Sequence, residues 1–93
     1  MGKFRVEIED LAILHITKHL KFGNKSNIKR INKILSELID TTFIGTGNPE
    51  ALKYQLTGFW SRQINKKDRL IYKVDENIVT DYVISAMGHY SDI

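Results

Sequence analysis

The chain has no cysteine and a single proline, Pro49. Without thiols there is no disulfide framework, no thiolate metal site and no cysteine nucleophile, and the composition fits a reducing, cytoplasmic compartment. No apolar run approaches the roughly 18 residues of a membrane-spanning helix, and no charged n-region followed by an apolar h-region opens the chain, so no membrane partner is expected. The carboxylates are scattered rather than clustered as a metal-dependent nuclease requires, so neither a metal nor another cofactor is expected. Repeats, low-complexity tracts and linkers are absent as well, and 93 residues suit one domain spanning residues 1–93.

What is present is an ordinary globular composition, 42% hydrophobic and 27% charged, with an uneven charge distribution behind a net charge of +3. Lys18, Lys21, Lys25, Lys29, Arg30 and Lys33 crowd the first half, and Lys53, Arg62, Lys66, Lys67, Arg69 and Lys73 the second. Residues 75–93 hold Asp75, Glu76, Asp81 and Asp92 with neither Lys nor Arg. A basic body of this kind is the footprint of a polyanion binder, nucleic acid first, against the plainer reading of a solvated helix face.

Hydrophobic periodicity gives the elements. Residues 3–9 alternate polar positions with Phe4, Val6 and Ile8, as a half-buried strand does. Asp10 then offers an N-cap for a helix to about Lys21 with Leu11, Leu14, Ile16 and Leu20 apolar, and Phe22-Gly23-Asn24 reads as its stop. From Ser26 to Asp40 the apolar set Ile28, Ile31, Ile34, Leu35, Leu38 and Ile39 follows a 3.6-residue period with the basic residues opposite. Residues 41–58 read as irregular, with Asn48-Pro49 starting one short turn. Three strands follow at residues 59–65, with Trp60 and Ile64 on one face; 69–74, with Leu70, Tyr72 and Val74 inward and Arg69, Ile71 and Lys73 outward; and 78–87. The order is β-α-α-β-β-β: an α+β domain in which two helices pack on a small antiparallel sheet.

Several motifs have ordinary explanations. Gly45-Thr46-Gly47 lacks the Gly-Lys-Ser/Thr of a phosphate loop. His15 and His19 stand four apart without a third ligand, which fits exposed surface histidines better than a metal pair. Trp60 fits sheet-face packing better than base stacking. Glu50, Arg69 and His89 are less ordinary. A carboxylate, a guanidinium and an imidazole are the parts required to cleave RNA through its own 2′-OH: a base, a cation for the phosphorane charge and an acid for the 5′-oxygen. Separate surface and capping roles are the alternative.

The runs Gly45-Thr46-Gly47-Asn48-Pro49-Glu50-Ala51-Leu52-Lys53-Tyr54, Leu56-Thr57-Gly58-Phe59-Trp60-Ser61-Arg62, Ile64-Asn65, Arg69-Leu70-Ile71-Tyr72 and Gly88-His89-Tyr90 resemble the Txe/YoeB branch of the RelE superfamily of bacterial toxins. The similarity extends from about Phe4 to Tyr90. It implies a RelE-like microbial RNase fold and a metal-independent endoribonuclease, an mRNA interferase that cuts mRNA in the ribosomal A site, inhibits translation and is neutralised by a cognate antitoxin. It implies Glu50 as general base, His89 as general acid, Arg69 as the cation on the scissile phosphate and Tyr90 as a residue orienting or stacking the base. Lys53 would be a second cation beside Glu50 and Arg62 an RNA-phosphate contact, while Lys29, Arg30 and Lys33 would dock on rRNA. The implied partners are mRNA, the ribosome, the antitoxin and a second copy in a homodimer.

Two positions depart from the pattern. Gln63 stands where this branch commonly has a second Arg, and Ser91, Asp92 and Ile93 extend past the His-Tyr pair. Asp92 near His89 would raise the imidazole pKa and favour its acid form. The rival expectations are a catalytically weakened RelE-like protein that binds RNA or antitoxin, and a structural or DNA-binding accessory domain supported only by the basic helix.

Overall fold

The computed structural model describes residues 3–88, and every structural statement below refers to these. The chain runs β1 (Arg5–Ile8), α1 (Asp10–Phe22), α2 (Lys25–Leu38), β2 (Glu50–Ala51), a 3-10 turn (Tyr54–Leu56), β3 (Phe59–Gln63), β4 (Arg69–Asp75) and β5 (Thr80–Ser85). The strands form one sheet in the order β1-β5-β4-β3-β2. The β3-β4-β5 meander is antiparallel, as the sequence pattern predicts. The sheet as a whole is mixed, because β1 pairs parallel with β5, Val6 opposite Asp81 and Ile8 opposite Val83. The helical hairpin separates β1 from the meander and returns the chain to the sheet, so the first strand covers the edge left by the last.

The α1–α2 turn is short because each side is capped locally. Asn24 accepts the Asn27 N–H at 2.9 Å, an N-cap bond that starts α2. Gly23 donates its N–H to the His19 carbonyl, and a Cβ at this position would stand 2.7 Å from that oxygen, so only glycine fits. Asp10, expected as the cap of α1, is its first helical residue, and Glu9 occupies the cap position without a side-chain bond.

Ile31, Ile34 and Leu38 of α2 pack with Leu70, Tyr72, Val83, Ile64 and Ala86 into the main core, with Trp60 and Val74 against its rim. Trp60 is therefore a packing residue, its ring 5.0 Å from that of Phe43. α1 departs from its expected orientation. It turns Ala12, Ile16 and His19 inward and leaves Leu11, Leu14, Leu20 and Phe22 exposed, Phe22 by 84%. Ile71, expected outside, is buried without belonging to the main cluster. No helix of the described residues is long and apolar enough to cross a membrane.

Candidate active site

The site lies at the start of β4, where β2, β3, β4 and the end of β5 meet. Residues 50–51, expected to be irregular, pair with β3, Glu50 opposite Ser61 and Ala51 opposite Trp60. Ser61 lies opposite Ile71 and Gln63 opposite Arg69. Directly opposed antiparallel residues project to the same face, so Glu50, Ser61, Gln63 and Arg69 share the face away from the helices. There the Arg69 guanidinium stands 4.0 Å from the Glu50 carboxylate and 3.3 Å from the Ser61 hydroxyl, to which it donates. Both charged side chains remain open to solvent, Glu50 by 58% and Arg69 by 26%. The pair is loose enough for a phosphate to displace the carboxylate from the cation.

Arg69 also fixes the chain that leads to the expected acid. Its backbone N–H donates to the Gly88 carbonyl at 3.0 Å, and the Gly88 N–H donates to Asp68 Oδ1 at 3.0 Å. Gly88 takes a left-handed φ of 76° that a Cβ would strain, and the chain turns there immediately before position 89. His89, Tyr90 and the extension at residues 91–93, with Asp92, lie outside the described residues.

Asp68, whose functional use the sequence did not suggest, is 7% exposed and heavily bonded. Burial pushes its carboxyl up, but hydrogen bonds from the Gly88 N–H and the Asn65 amide, with the charges of His19 and Lys67, outweigh this and hold it below the usual carboxylate range. Asn65 folds the hairpin by accepting the N–H groups of Lys67 and Asp68.

The two histidines of α1 are not the exposed pair expected: His19 is buried and His15 half-buried. His19 is 2% exposed and its Nε2 donates to the Ala86 carbonyl at 2.8 Å. His15 Nδ1 accepts the Ala86 N–H at 3.1 Å. The signal that could have found them was present: an i, i+4 polar pair on the side of the helix occupied by Ala12 and Ile16. Burial, followed by the charges of Lys18 and His19, lowers the His15 pKa against an opposing pull from Asp68.

Arg62 overturns its expected role in RNA binding. It is fully buried and ion-paired to Glu37 at 2.8 Å. Its remaining donors go to the Tyr72 hydroxyl and to the carbonyls of Thr41, Thr42, Ile44 and Thr46. No N–H group is left for a phosphate, and no solvent path reaches the guanidinium. Burial pushes the Glu37 carboxyl up, but bonds from the Thr46 hydroxyl and N–H and from Arg62 more than offset it and leave it lowered. Because the Thr46 N–H is given to Glu37, the Gly45-Thr46-Gly47 loop closes over an internal ion pair and offers no phosphate cradle there.

The other expected contacts are exposed. Lys53 lines a cleft of about 350 Å³ with Glu50, Leu52 and Tyr54. Lys29, Arg30 and Lys33 line a shallow basic depression with Ser26 and Thr46. Arg30 also donates to the Gln63 carbonyl at 3.2 Å, which ties this basic face to the strand position across from Arg69. A larger groove of about 820 Å³ runs between the helical turn and the β3–β4 hairpin, lined in part by Lys18, Lys66, Lys67, His19 and Asp68.

The chain is 44% identical over 54 residues to Toxin YoeB of Escherichia coli, a stretch covering 58% of this chain and 64% of that protein, just under two thirds of its length. It is 37% identical over 73 residues to Toxin YoeB of Streptomyces coelicolor, covering 77% and 83% of the two chains. Among solved structures, a YoeB/ParE toxin from Agrobacterium tumefaciens superposes with a TM-score of 0.84 at 25% identity, covering 94% of this chain and all of that one. A YoeB dimer from Staphylococcus aureus (TM-score 0.78, 30% identity) and a YoeB-YefM complex from the same organism (0.76, 32%) each match 96% of this chain and 100% of theirs. A family model described as the YoeB-like toxin of bacterial type II toxin-antitoxin systems matches residues 10–90, and the chain belongs to that family.

Proposed function

We propose that this toxin is an endoribonuclease that cleaves mRNA in the ribosomal A site by acid–base chemistry on the RNA's own 2′-OH, without a metal. One observation carries the reading: Glu50 stands 4.0 Å from Arg69, and Arg69 holds Gly88, the neighbour of His89, through its backbone. Glu50, Arg69 and Gly88, far apart in sequence, thereby meet at one end of the sheet, and His89 is the next residue of the chain.

In this reading Glu50 takes the 2′-OH proton and the 2′-oxygen attacks phosphorus. Arg69 neutralises the charge gathering on the non-bridging oxygens, and Lys53 adds a second positive charge beside Glu50. As the P–O5′ bond breaks, His89 delivers a proton to the leaving oxygen, giving a 2′,3′-cyclic phosphate and a 5′-hydroxyl. Tyr90 orients or stacks the base. Each proton transfer is worth about 10²- to 10⁴-fold, so both ends of the reaction are needed. Lys29, Arg30 and Lys33 supply the phosphate contacts that a small enzyme requires to dock on folded rRNA.

A solved relative is a YoeB-YefM complex, and in this reading a cognate antitoxin likewise neutralises this chain, an acidic segment being the complement of its basic face. The apolar side chains that α1 leaves exposed, Leu14, Leu20 and Phe22, are surface of the kind protein partners bury, whether the antitoxin or a second copy. A weakened, binding-only relative is the second reading. Its support is Gln63, which places a neutral amide directly across the strand from Arg69.

Mapping mRNA 5′ ends in a translating extract separates the readings. The wild-type chain is expected to produce cuts within the A-site codon that Glu50→Ala and His89→Gln abolish. Translation inhibition persisting undiminished in both variants, without new 5′ ends, would establish the binding-only reading.

A further inference from the structure

β5 ends at Ser85, yet the chain continues inward: Ala86 is completely buried, and its N–H and C=O require partners that the ladder no longer provides. Two imidazoles one helical turn apart on α1 supply both. His15 Nδ1 accepts the N–H and His19 Nε2 donates to the C=O of the same residue. Two residues on, Gly88 is held equally completely, its N–H by Asp68 and its C=O by the Arg69 N–H. Four hydrogen bonds, from His15 and His19 of α1, Asp68 of the β3–β4 hairpin and Arg69 of β4, thus hold Ala86 and Gly88, and the next residue is His89.

We infer that His15 and His19 are positioning residues for the general acid, and that protonation of His15 opens the clamp and turns the toxin down at acid pH. The inference rests on the reading of His89 as that acid. A ring nitrogen that accepts a hydrogen bond carries no proton, so His15 can hold Ala86 only as a neutral imidazole with its hydrogen on Nε2. Protonated, it presents a second donor to the Ala86 N–H, and a buried N–H is left without an acceptor. His19 is insensitive in this respect, because Nε2 donates in both the Nε2–H tautomer and the imidazolium. The charged groups that face His15 are Lys18 and His19 from its own helix and Asp68 from the hairpin. Burial and the two helix neighbours lower its pKa, so the clamp stays closed at neutral pH and opens below the ordinary imidazole range. Loss of the His15 bond frees Ala86, three residues before the proposed acid in the chain, and an acid misplaced by about 1 Å costs on the order of 10²-fold in rate.

The test uses the full chain and two readouts over pH 5 to 8: amide hydrogen-exchange protection of Ala86, and cleavage of mRNA on purified translating ribosomes. In the wild type, Ala86 protection is expected to fall with the NMR titration of His15, and kcat to fall along the same curve. His15→Asn places an amide oxygen near the position of Nδ1 and does not titrate. It is expected to keep Ala86 protected at pH 5 and to abolish that limb of the profile. His15→Leu removes the acceptor; in the folded variant kcat is expected to drop on the order of 10²-fold with KM changed less than about twofold. His19→Gln retains a donor near the position of Nε2 and is expected to stay within about threefold of wild type. Ala86 protection that is flat through the His15 titration, or a His15→Asn profile with the wild-type acid limb, overturns the inference. A wild-type chain that does not cleave defeats the proposed reaction instead, and the exchange data then decide the clamp alone.

Discussion

Two arginines seven positions apart have opposite work, and the difference follows from parity along a strand. Trp60 and Ile64 face the helices, so Arg62 between them must do so too, whereas Arg69 and Gln63 face the other way. The sequence contained this signal; a motif-based reading that treats every cation as a phosphate contact overrides it. Removal of Arg62 leaves the Glu37 carboxylate without its counter-charge and a set of loop carbonyls without their guanidinium donor, and breaking such a pair costs about 3–5 kcal/mol. A domain of this length has a total stability of about 5–14 kcal/mol, so Arg62→Leu is expected to unfold at much lower urea and to lose function by losing the fold. Arg69→Leu breaks an exposed 4.0 Å pair and one 3.3 Å hydrogen bond to Ser61, and is expected to cost about 1 kcal/mol of stability while cleavage falls by at least about 10²-fold. Urea unfolding beside cleavage rates for the two variants checks both. An Arg62→Leu protein as stable as wild type would show that the buried pair contributes nothing.

At the scale of elements, the strongly periodic segments were legible and the short ones were not. α2 and β4 repeat their apolar positions often enough to fix type and face. β2 has two residues, too few for any period, and its pairing depends on the approach of β3 in space. The inward turn of α1 was hidden because its large apolar residues suggested the wrong face; the small Ala12 and the polar His19 form the contact. The 41–47 loop was hidden because what shapes it, Glu37 and Arg62, comes from two other elements. Gly47 closes that loop against β3 at a φ of 86°, its carbonyl accepts the Gln63 N–H, and a Cβ there would lie 2.8 Å from the Gln63 carbonyl oxygen. Gly47→Ala is therefore expected to cost about 1–3 kcal/mol in urea unfolding and to reduce cleavage further than that loss explains, because the loop leads directly into Glu50. A variant with wild-type stability and activity would mean that the loop adjusts elsewhere.

Over the whole molecule, pH sets the balance among groups that pull in opposite directions. Glu37 and Asp68 have lowered pKa values, so they contribute stability above their unfolded values of 4.5 and 3.8 and lose it as pH falls further. His15, held neutral, disfavours the folded state progressively as pH drops below 6.5. Asp81 acts in the reverse sense. It is completely buried under the same loop, bonded to the Thr42 hydroxyl through Oδ2, while its Oδ1 has no hydrogen-bond partner among the described residues. Burial, against the Thr42 bond and the charge of Arg62, pushes its carboxyl up to about 6. Between its unfolded value of 3.8 and about 6 the folded chain holds a proton that the unfolded chain has released, so stability from this group falls as pH rises through that window. Asp81→Asn removes the titration and retains an acceptor for Thr42. Whatever constant offset the amide introduces, the stability of Asp81→Asn relative to wild type is expected to climb by on the order of 2 kcal/mol between pH 4 and pH 6 and to be level above pH 7. Urea midpoints for the two proteins across pH 3.5 to 8 measure this difference directly. A difference that stays constant throughout would mean that Asp81 is ionised in the folded state as readily as in water, with Arg62 compensating its burial in full.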